Sequence, residues 1–366
     1  MNLESTMNNT SIATYIHIPF CKHICTYCDF CKLYYKEDWV DQYLKALEQE
    51  INEYQGKPSK TIYIGGGTPS CLSIKQLQDL FRILQKLKRS DQAEITIECN
   101  PEISVETLQF LYQAGVNRLS FGVESFQEET LKYLGRTHRK ETVYQTIEQA
   151  KQVGFQNISL DLMYGIPGQT QKQVKKDLMD AIQLNPTHIS AYSLIIEENT
   201  MLKIWGEENI EEDLDEQMYQ LITTELATAG YRQYEVSNFA IPGYESKHNL
   251  TYWNNETYNG FGLGAHGYIA NIRYEHTRGL NHYLKDPLEK RTTELTEEDQ
   301  QFEEMMLGLR KTSGVSRKQF QEKFQKNIED CFDLSDPRLE KNKTHVWIKP
   351  EYFYVMNDIL IKFLKD

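Results

Sequence analysis

No stretch of this 366-residue chain approaches the roughly 18 consecutive apolar residues that a membrane-crossing helix requires. A helical span is not expected, while peripheral contact with a membrane stays open. Positive charge is also short: 40 Lys and Arg stand against 53 Asp and Glu, a formal net charge of −13. General nucleic-acid binding and a polybasic anchor both need concentrated positive charge, so neither is expected. The opening residues Met1–Thr10 lack the apolar core of a secretory signal, and seven cysteines is an odd number. Neither secretion nor a disulfide framework is supported, and a cytoplasmic location is expected. Low-complexity tracts and solenoid repeats are absent as well.

What the chain does have is four cysteines packed into eleven residues, Cys21-Lys-His-Ile-Cys25-Thr-Tyr-Cys28-Asp-Phe-Cys31, just after the strand-like run Thr14–Phe20. Packing alone gives no reason for such a cluster. Thiolates this close together in a reducing compartment suit a soft metal, with zinc and an iron–sulfur cluster as the usual cargo. Structural zinc sites pair two short Cys/His knuckles across a longer gap, and no second knuckle lies downstream here. The spacing therefore favours iron–sulfur. Cys31 stands either as a fourth ligand that would close the site or as a spare thiol beside it.

From residue 14 to about 230, short β-rich runs alternate with helical patterns, the mark of repeated βα units around a parallel sheet. The runs are Thr14–Ile18, Thr61–Ile64, Glu94–Cys99, Arg118–Gly122, Asn157–Met163 and His188–Leu194. Six strands suggest a partial (β/α)6 barrel. Between them Val40, Tyr43, Leu44, Leu47, Ile51 and Tyr54 repeat at helical spacing, and Ser73 with Gln76 and Thr170 with Gln173 read as capping boxes. The expected division is a short tail over 1–13, the barrel over 14–235, an aromatic and glycine-rich linking segment over 236–280, and a smaller, mainly helical domain over 281–366. Glu297–Gly308 and Pro350–Leu364 are its candidate helices.

In parallel α/β folds ligands meet the carboxyl ends of the strands, and the chemistry-bearing residues fall there. Gly65-Gly66-Gly67-Thr68-Pro69 follows the second strand, Glu98 ends the third, Glu124 follows the fourth with Arg136 twelve residues on, and Asp161 sits on the fifth. Taken alone, each has a plain structural reading: a tight turn, a strand-end salt bridge, surface pairing, or core packing for Tyr15. Taken together with Cys21, Cys25 and Cys28 in the pattern C-x3-C-x2-C, they resemble the radical S-adenosylmethionine (SAM) enzymes. The resemblance implies that these three thiolates hold three irons of a [4Fe-4S] cluster and that the fourth iron is left open for SAM. One electron from the cluster then breaks a carbon–sulfur bond to give a 5'-deoxyadenosyl radical. It further implies SAM contacts from Tyr15, Gly66, Gly67, Thr68, Glu98, Glu124, Arg136 and Asp161. Position 124 departs from the family pattern, which carries Gln in Gly-Val-Gln where this chain has Glu.

The order of these motifs is similar to the branch that includes the oxygen-independent coproporphyrinogen III dehydrogenase and its heme-chaperone relatives. Three features point to the chaperone side. Only about a dozen residues precede Tyr15; Asp29 and Phe30 separate Cys28 from Cys31 in a C-D-F form; and His248-Asn249-Leu250-Thr251-Tyr252-Trp253 resembles the HNxxYW element of the chaperones. An imidazole can ligate heme iron and aromatic neighbours can flank a porphyrin face, although a lone histidine is more often a hydrogen-bonded structural residue. The implied function is binding of heme as cargo and its transfer to an apo-hemoprotein, such as a respiratory one, with an electron donor serving the cluster; oxidative decarboxylation of porphyrinogen is the alternative. Cys71, Cys99 and Cys331 read as packing thiols.

Overall fold

A computed structural model describes residues 11–364, so the first ten residues of the expected tail lie outside the described residues. The chain divides into two compact units. The first contains the residues up to Gly122 with Glu141–Gln156 and Thr257–Thr293; the second contains Val123–Lys140, Asn157–Glu256 and Glu294 onward.

The first unit is built on strands β1 (Ile12–Ile18), β2 (Ser59–Gly66), β3 (Arg89–Cys99) and β4 (Arg118–Glu124, as far as Gly122). Their pairing is parallel, with Ala13 opposite Thr61, Thr61 opposite Glu94 and Thr96 opposite Arg118. Strands covered on both faces read as near-continuous apolar runs, and six of the seven residues of β1 are buried. The helix Glu37–Asn52 buries Val40, Tyr43, Leu44, Leu47 and Ile51, the stripe expected from their spacing. Ser73 and Gln76 form the reciprocal capping box that opens Ile74–Leu84.

The segment expected to be a linker over 236–280 is not one. Tyr258–Phe261 adds a strand parallel to β1, with Ala13 opposite Tyr258 and Ile16 opposite Phe261, and His266–Ile269 and Ile272–His276 continue the sheet as antiparallel neighbours. A Tyr-Asn-Gly-Phe strand shows no period-two alternation, and Gly260 is present because a Cβ there would strike the backbone of His266. The expected boundary at 281 moves for a related reason. Tyr283 donates to the buried Glu50 carboxylate at 2.7 Å and its ring lies 5.3 Å from that of Tyr43, so it belongs to the first unit.

In the second unit β5 (Asn157–Tyr164) and β6 (His188–Ser193) run parallel, with Ser159 opposite His188 and Asp161 opposite Ser190; Asn238–Ala240 pairs antiparallel to β6. Thr170 and Gln173 cap the helix Gln171–Gln183, which packs on Glu212–Thr228. The C-terminal part holds its own apolar core of Met305, Leu309, Phe320, Val346, Ile348, Met356 and Phe363 among others. Glu297–Gly308 is helical as expected. Pro350–Leu364 is not a single helix but two 3₁₀ turns flanking Met356–Leu360, because Tyr352-Phe353-Tyr354-Val355 favours helix weakly and Phe353, Ile359 and Phe363 are each drawn into that core. A small three-stranded sheet of Val315–Ser316, His345–Ile348 and Leu339–Lys341 accompanies the helices of this part.

Candidate functional site

The cysteine segment is irregular backbone, and its two ends are tied down. His17 is buried on β1, two residues from Tyr15 and so on the same strand face. Its Nε2–H donates to the Cys31 carbonyl at 2.7 Å, and its Nδ1 accepts from the Tyr15 hydroxyl at 2.9 Å. Burial pulls the His17 pKa down to about 4, so the imidazole is neutral and this tautomer satisfies both contacts. Cys21 is buried at the head of the segment, where Thr68 Oγ1 donates to its Sγ at 3.5 Å. Cys25 and Cys28 are half-buried, linked by the Cys28 N–H to the Cys25 carbonyl at 3.3 Å, and Lys32 Nζ donates to the Cys28 carbonyl.

Burial pushes the Cys28 thiol up to about 11 despite Lys32 nearby. Such a thiol is a poor free nucleophile, and coordination to a metal deprotonates it outright. Among the described residues no three His, Cys, Asp or Glu side chains converge as ligands of one ion. The donor set and its anchored loop fit a [4Fe-4S] group.

Cys31 faces elsewhere. A Cβ on Gly264 would sit 2.9 Å from Cys31 Sγ, and the thiol points at the Arg278 carbonyl 4.0 Å away. Arg278 in turn donates to the Asp29 carbonyl at 2.9 Å, holding the Asp29-Phe30 turn, whose Phe30 ring is 64% exposed.

The glycine run has tight steric reasons. Gly66 takes φ +114°, and a Cβ there would enter the His17 ring; one on Gly67 would come within 2.7 Å of the Pro19 carbonyl carbon. Gly67 N–H donates to Ile18 and Thr68 N–H to Phe20, strapping β2 over the approach to Cys21. Glu98 stands beside this strap. Its Oε2 accepts the Gly66 N–H and its Oε1 the Tyr63 hydroxyl, each at 2.9 Å. A carboxylate has about four acceptor positions, and these two donors fix the orientation of both oxygens. Sequence reading missed Tyr63 and His17, although both follow from the strand period: Tyr63 lies opposite Tyr15 in the register, with rings 6.2 Å apart.

The remaining expected residues lie in the second unit. Glu124 ends β4 at φ +63°, with the Ser125 N–H reaching the Val123 carbonyl at 2.7 Å, a γ-turn unusual for a residue with a side chain. Its carboxylate lies 3.9 Å from the Arg136 guanidinium, both about nine-tenths buried. This gives Glu a role that the family's Gln could fill only without charge. Asp177, not foreseen from sequence, holds the turn by accepting from Ser125 Oγ, Phe126 N and Gln127 Nε2. His138 Nε2 donates to the Val123 carbonyl at 3.1 Å, and burial, assisted by Arg136, lowers its pKa to about 4. Asp161 is half-buried and accepts from Ser190 at 2.6 Å. His248 is buried on the short helix Lys247–Trp253; its Nε2 meets the Tyr252 hydroxyl at 2.8 Å, with the two rings edge to face. Cys71 and Cys99 are buried thiols with pKa values pushed up by burial, consistent with packing.

Residues 15–181 match the radical SAM superfamily, and residues 295–349 match the HemN C-terminal domain. Over 97% of its length the chain is 44% identical to the heme chaperone HemW of Bacillus subtilis, covering 99% of that protein. The chain belongs to the HemW family of radical SAM proteins. The HemW of Lactococcus lactis is 42% identical, with 97% of each chain covered, and that of Escherichia coli 40% identical, with 84% of this chain and 85% of that protein covered. Among solved structures, the coproporphyrinogen III oxidase HemN of Escherichia coli superposes with a TM-score of 0.85 over 96% of this chain and 90% of its own, at 23% identity. That likeness shows the fold, a radical SAM α/β architecture with a smaller C-terminal region. Membership in this HemW family brings a [4Fe-4S] cluster and SAM as cofactors.

Proposed function

We propose that this chain is a heme chaperone, binding heme and passing it to an apo-hemoprotein. The near-complete alignment with proteins named heme chaperone HemW carries the reading, and the HNxxYW segment at His248–Trp253 supports it. Cys21, Cys25 and Cys28 hold the cluster. Tyr15, Gly66, Gly67, Thr68, Glu98, Glu124, Arg136 and Asp161 bind SAM, and His248 ligates heme iron. When bound, the cluster and SAM supply one-electron reductive chemistry. The protein's own part is to keep the cysteine loop anchored through His17 and Thr68, to present Glu98 already oriented by Tyr63, and to hold His248 in reserve behind its Tyr252 bond. An electron donor for the cluster, an acceptor such as a respiratory hemoprotein and a cytoplasmic setting complete the proposal. Among the described residues no helix is long and apolar enough to cross a membrane.

Anaerobically reconstituted protein tests the reading in two parallel assays. Transfer of heme to an apo-hemoprotein without turnover of coproporphyrinogen III is the expected result. Decarboxylation of coproporphyrinogen III at catalytic rates in the presence of SAM and reductant would refute it.

A further inference from the structure

A buried polar chain in the second unit has no part in the function described so far. Ser159 Oγ lies 3.4 Å from Asp161 Oδ1 and 2.7 Å from His188 Nδ1; His188 Nε2 lies 2.9 Å from the Tyr234 hydroxyl, which accepts the Ser246 N–H at 3.3 Å. Ser159, His188 and Ser246 have no exposed surface and Tyr234 is buried. Ser246 caps the helix Lys247–Trp253 through its own side chain, which accepts the Asn249 N–H at 3.2 Å. The parallel register that sets Ser159 opposite His188 and Asp161 opposite Ser190 brings the first half together. An apolar core of the same shape would cost less to bury, so the polar groups need a reason.

Hydrogen-bond direction supplies one. An ionised Asp161 can only accept, so a Ser159 hydroxyl that serves it must itself accept from His188 Nδ1–H. A neutral imidazole then accepts at Nε2 from the Tyr234 hydroxyl, whose oxygen is left to take the Ser246 N–H. All four contacts are met by this one arrangement, and it ties the heme-ligand helix down.

We propose that Ser159, His188 and Tyr234 are positioning residues that couple Asp161 to the helix carrying His248, so that occupation of Asp161 by SAM loosens that helix and tightens heme binding. The proposal rests on the assignments of Asp161 to SAM and His248 to heme made above. A ligand hydroxyl that takes Asp161 Oδ1 frees Ser159 to donate to His188 Nδ1. The imidazole, still carrying one proton, then bears it on Nε2 and donates to Tyr234, whose own hydroxyl hydrogen must swing away from Nε2 to the other side of the oxygen, where the Ser246 N–H donates. The Ser246 hold weakens, and His248 exchanges its Tyr252 bond for iron more readily.

Heme titration of cluster-loaded protein, followed by absorption with and without SAM, tests this. Wild type should bind heme at least about fivefold more tightly with SAM, within the usual range of coupling between sites. Tyr234→Phe keeps the ring and removes the hydroxyl, so its heme affinity without SAM should rise toward the SAM-bound wild-type value and change less than about twofold on adding SAM. Ser159→Ala, cutting the other end, should also lose the response. Nitrogen-15 NMR of His188 should show the Nδ1–H tautomer before SAM and the Nε2–H tautomer after it. A wild type that takes up no heme sinks both this coupling and the chaperone reading. Wild-type heme affinity that SAM leaves unmoved or weakens, a Tyr234→Phe protein that responds as wild type does or binds heme more weakly, or an unchanged His188 tautomer overturns the coupling alone.

Discussion

His248 has its Nε2 engaged by Tyr252 four residues later, on the same face of one helix, so if it is the heme ligand proposed above, iron must compete with a phenol for the same nitrogen. A neutral hydrogen bond of this kind is worth about 1 kcal/mol net. Tyr252→Phe should therefore bind heme about fivefold more tightly, and His248→Ala more weakly with an altered absorption spectrum, both read by titration. An unchanged spectrum in His248→Ala removes the ligand assignment. The cysteines divide in a similar way. Cys31 is turned to Gly264 and Arg278, so Cys31→Ser should retain iron and acid-labile sulfide after anaerobic purification, whereas Cys21→Ser, Cys25→Ser or Cys28→Ser should lose most of both. The C-x3-C-x2-C spacing made the three proposed ligands legible. What it could not show was the direction in which Cys31 points, because that is decided by Gly264 and Arg278 more than 230 residues away.

At the level of elements, the buried runs of the parallel strands were legible, although Ser59–Gly66 and Arg89–Cys99 extend well past the expected Thr61–Ile64 and Glu94–Cys99, and both capping boxes were visible because their contacts are local. Tyr258–Phe261 was not, since its pairing with β1 depends on partners that no local pattern reveals. The turn leaving Arg232–Gln233 carries a second non-local feature, Glu235, fully buried with its Oε2 accepting the Ser237 N–H at 3.2 Å. Burial raises its pKa to about 7. A carboxyl whose folded pKa is raised holds its proton longer in the native state, so its contribution is fully present below pH 4.5 and is lost as pH rises through 7. Glu235→Gln, whose amide oxygen can still accept from Ser237, should match wild type at pH 4 and exceed it at pH 8 by about 3 kcal/mol in denaturant unfolding. Equal stabilities at pH 8 would show that Glu235 is ionised without penalty.

For the whole molecule, the barrel-then-helices division expected from composition follows chain order, whereas the contacts do not: Thr257–Thr293 belongs with the amino-terminal strands and Val123–Lys140 with the later ones. Composition changes along the sequence, but compactness depends on which segments return to pair, and Tyr258–Phe261 returns to the first strand. A cluster bound by the cysteine loop should then stabilise its surroundings unevenly. The bonds at stake are Gly67 N–H to Ile18, Thr68 N–H to Phe20, Leu33 N–H to Pro19 and Tyr35 N–H to Cys21, all within the first unit. Local openings draw on such contacts rather than on the global stability. Removing iron with an oxidant and chelator should accelerate amide hydrogen exchange across residues 18–36 and at Gly66–Thr68, while β5 and β6, whose ladder contains none of these bonds, keep their protection. Equal loss of protection in Asn157–Tyr164 would mean that the cluster supports the fold as a whole, and the cysteine loop would then be a structural staple as much as a site for chemistry.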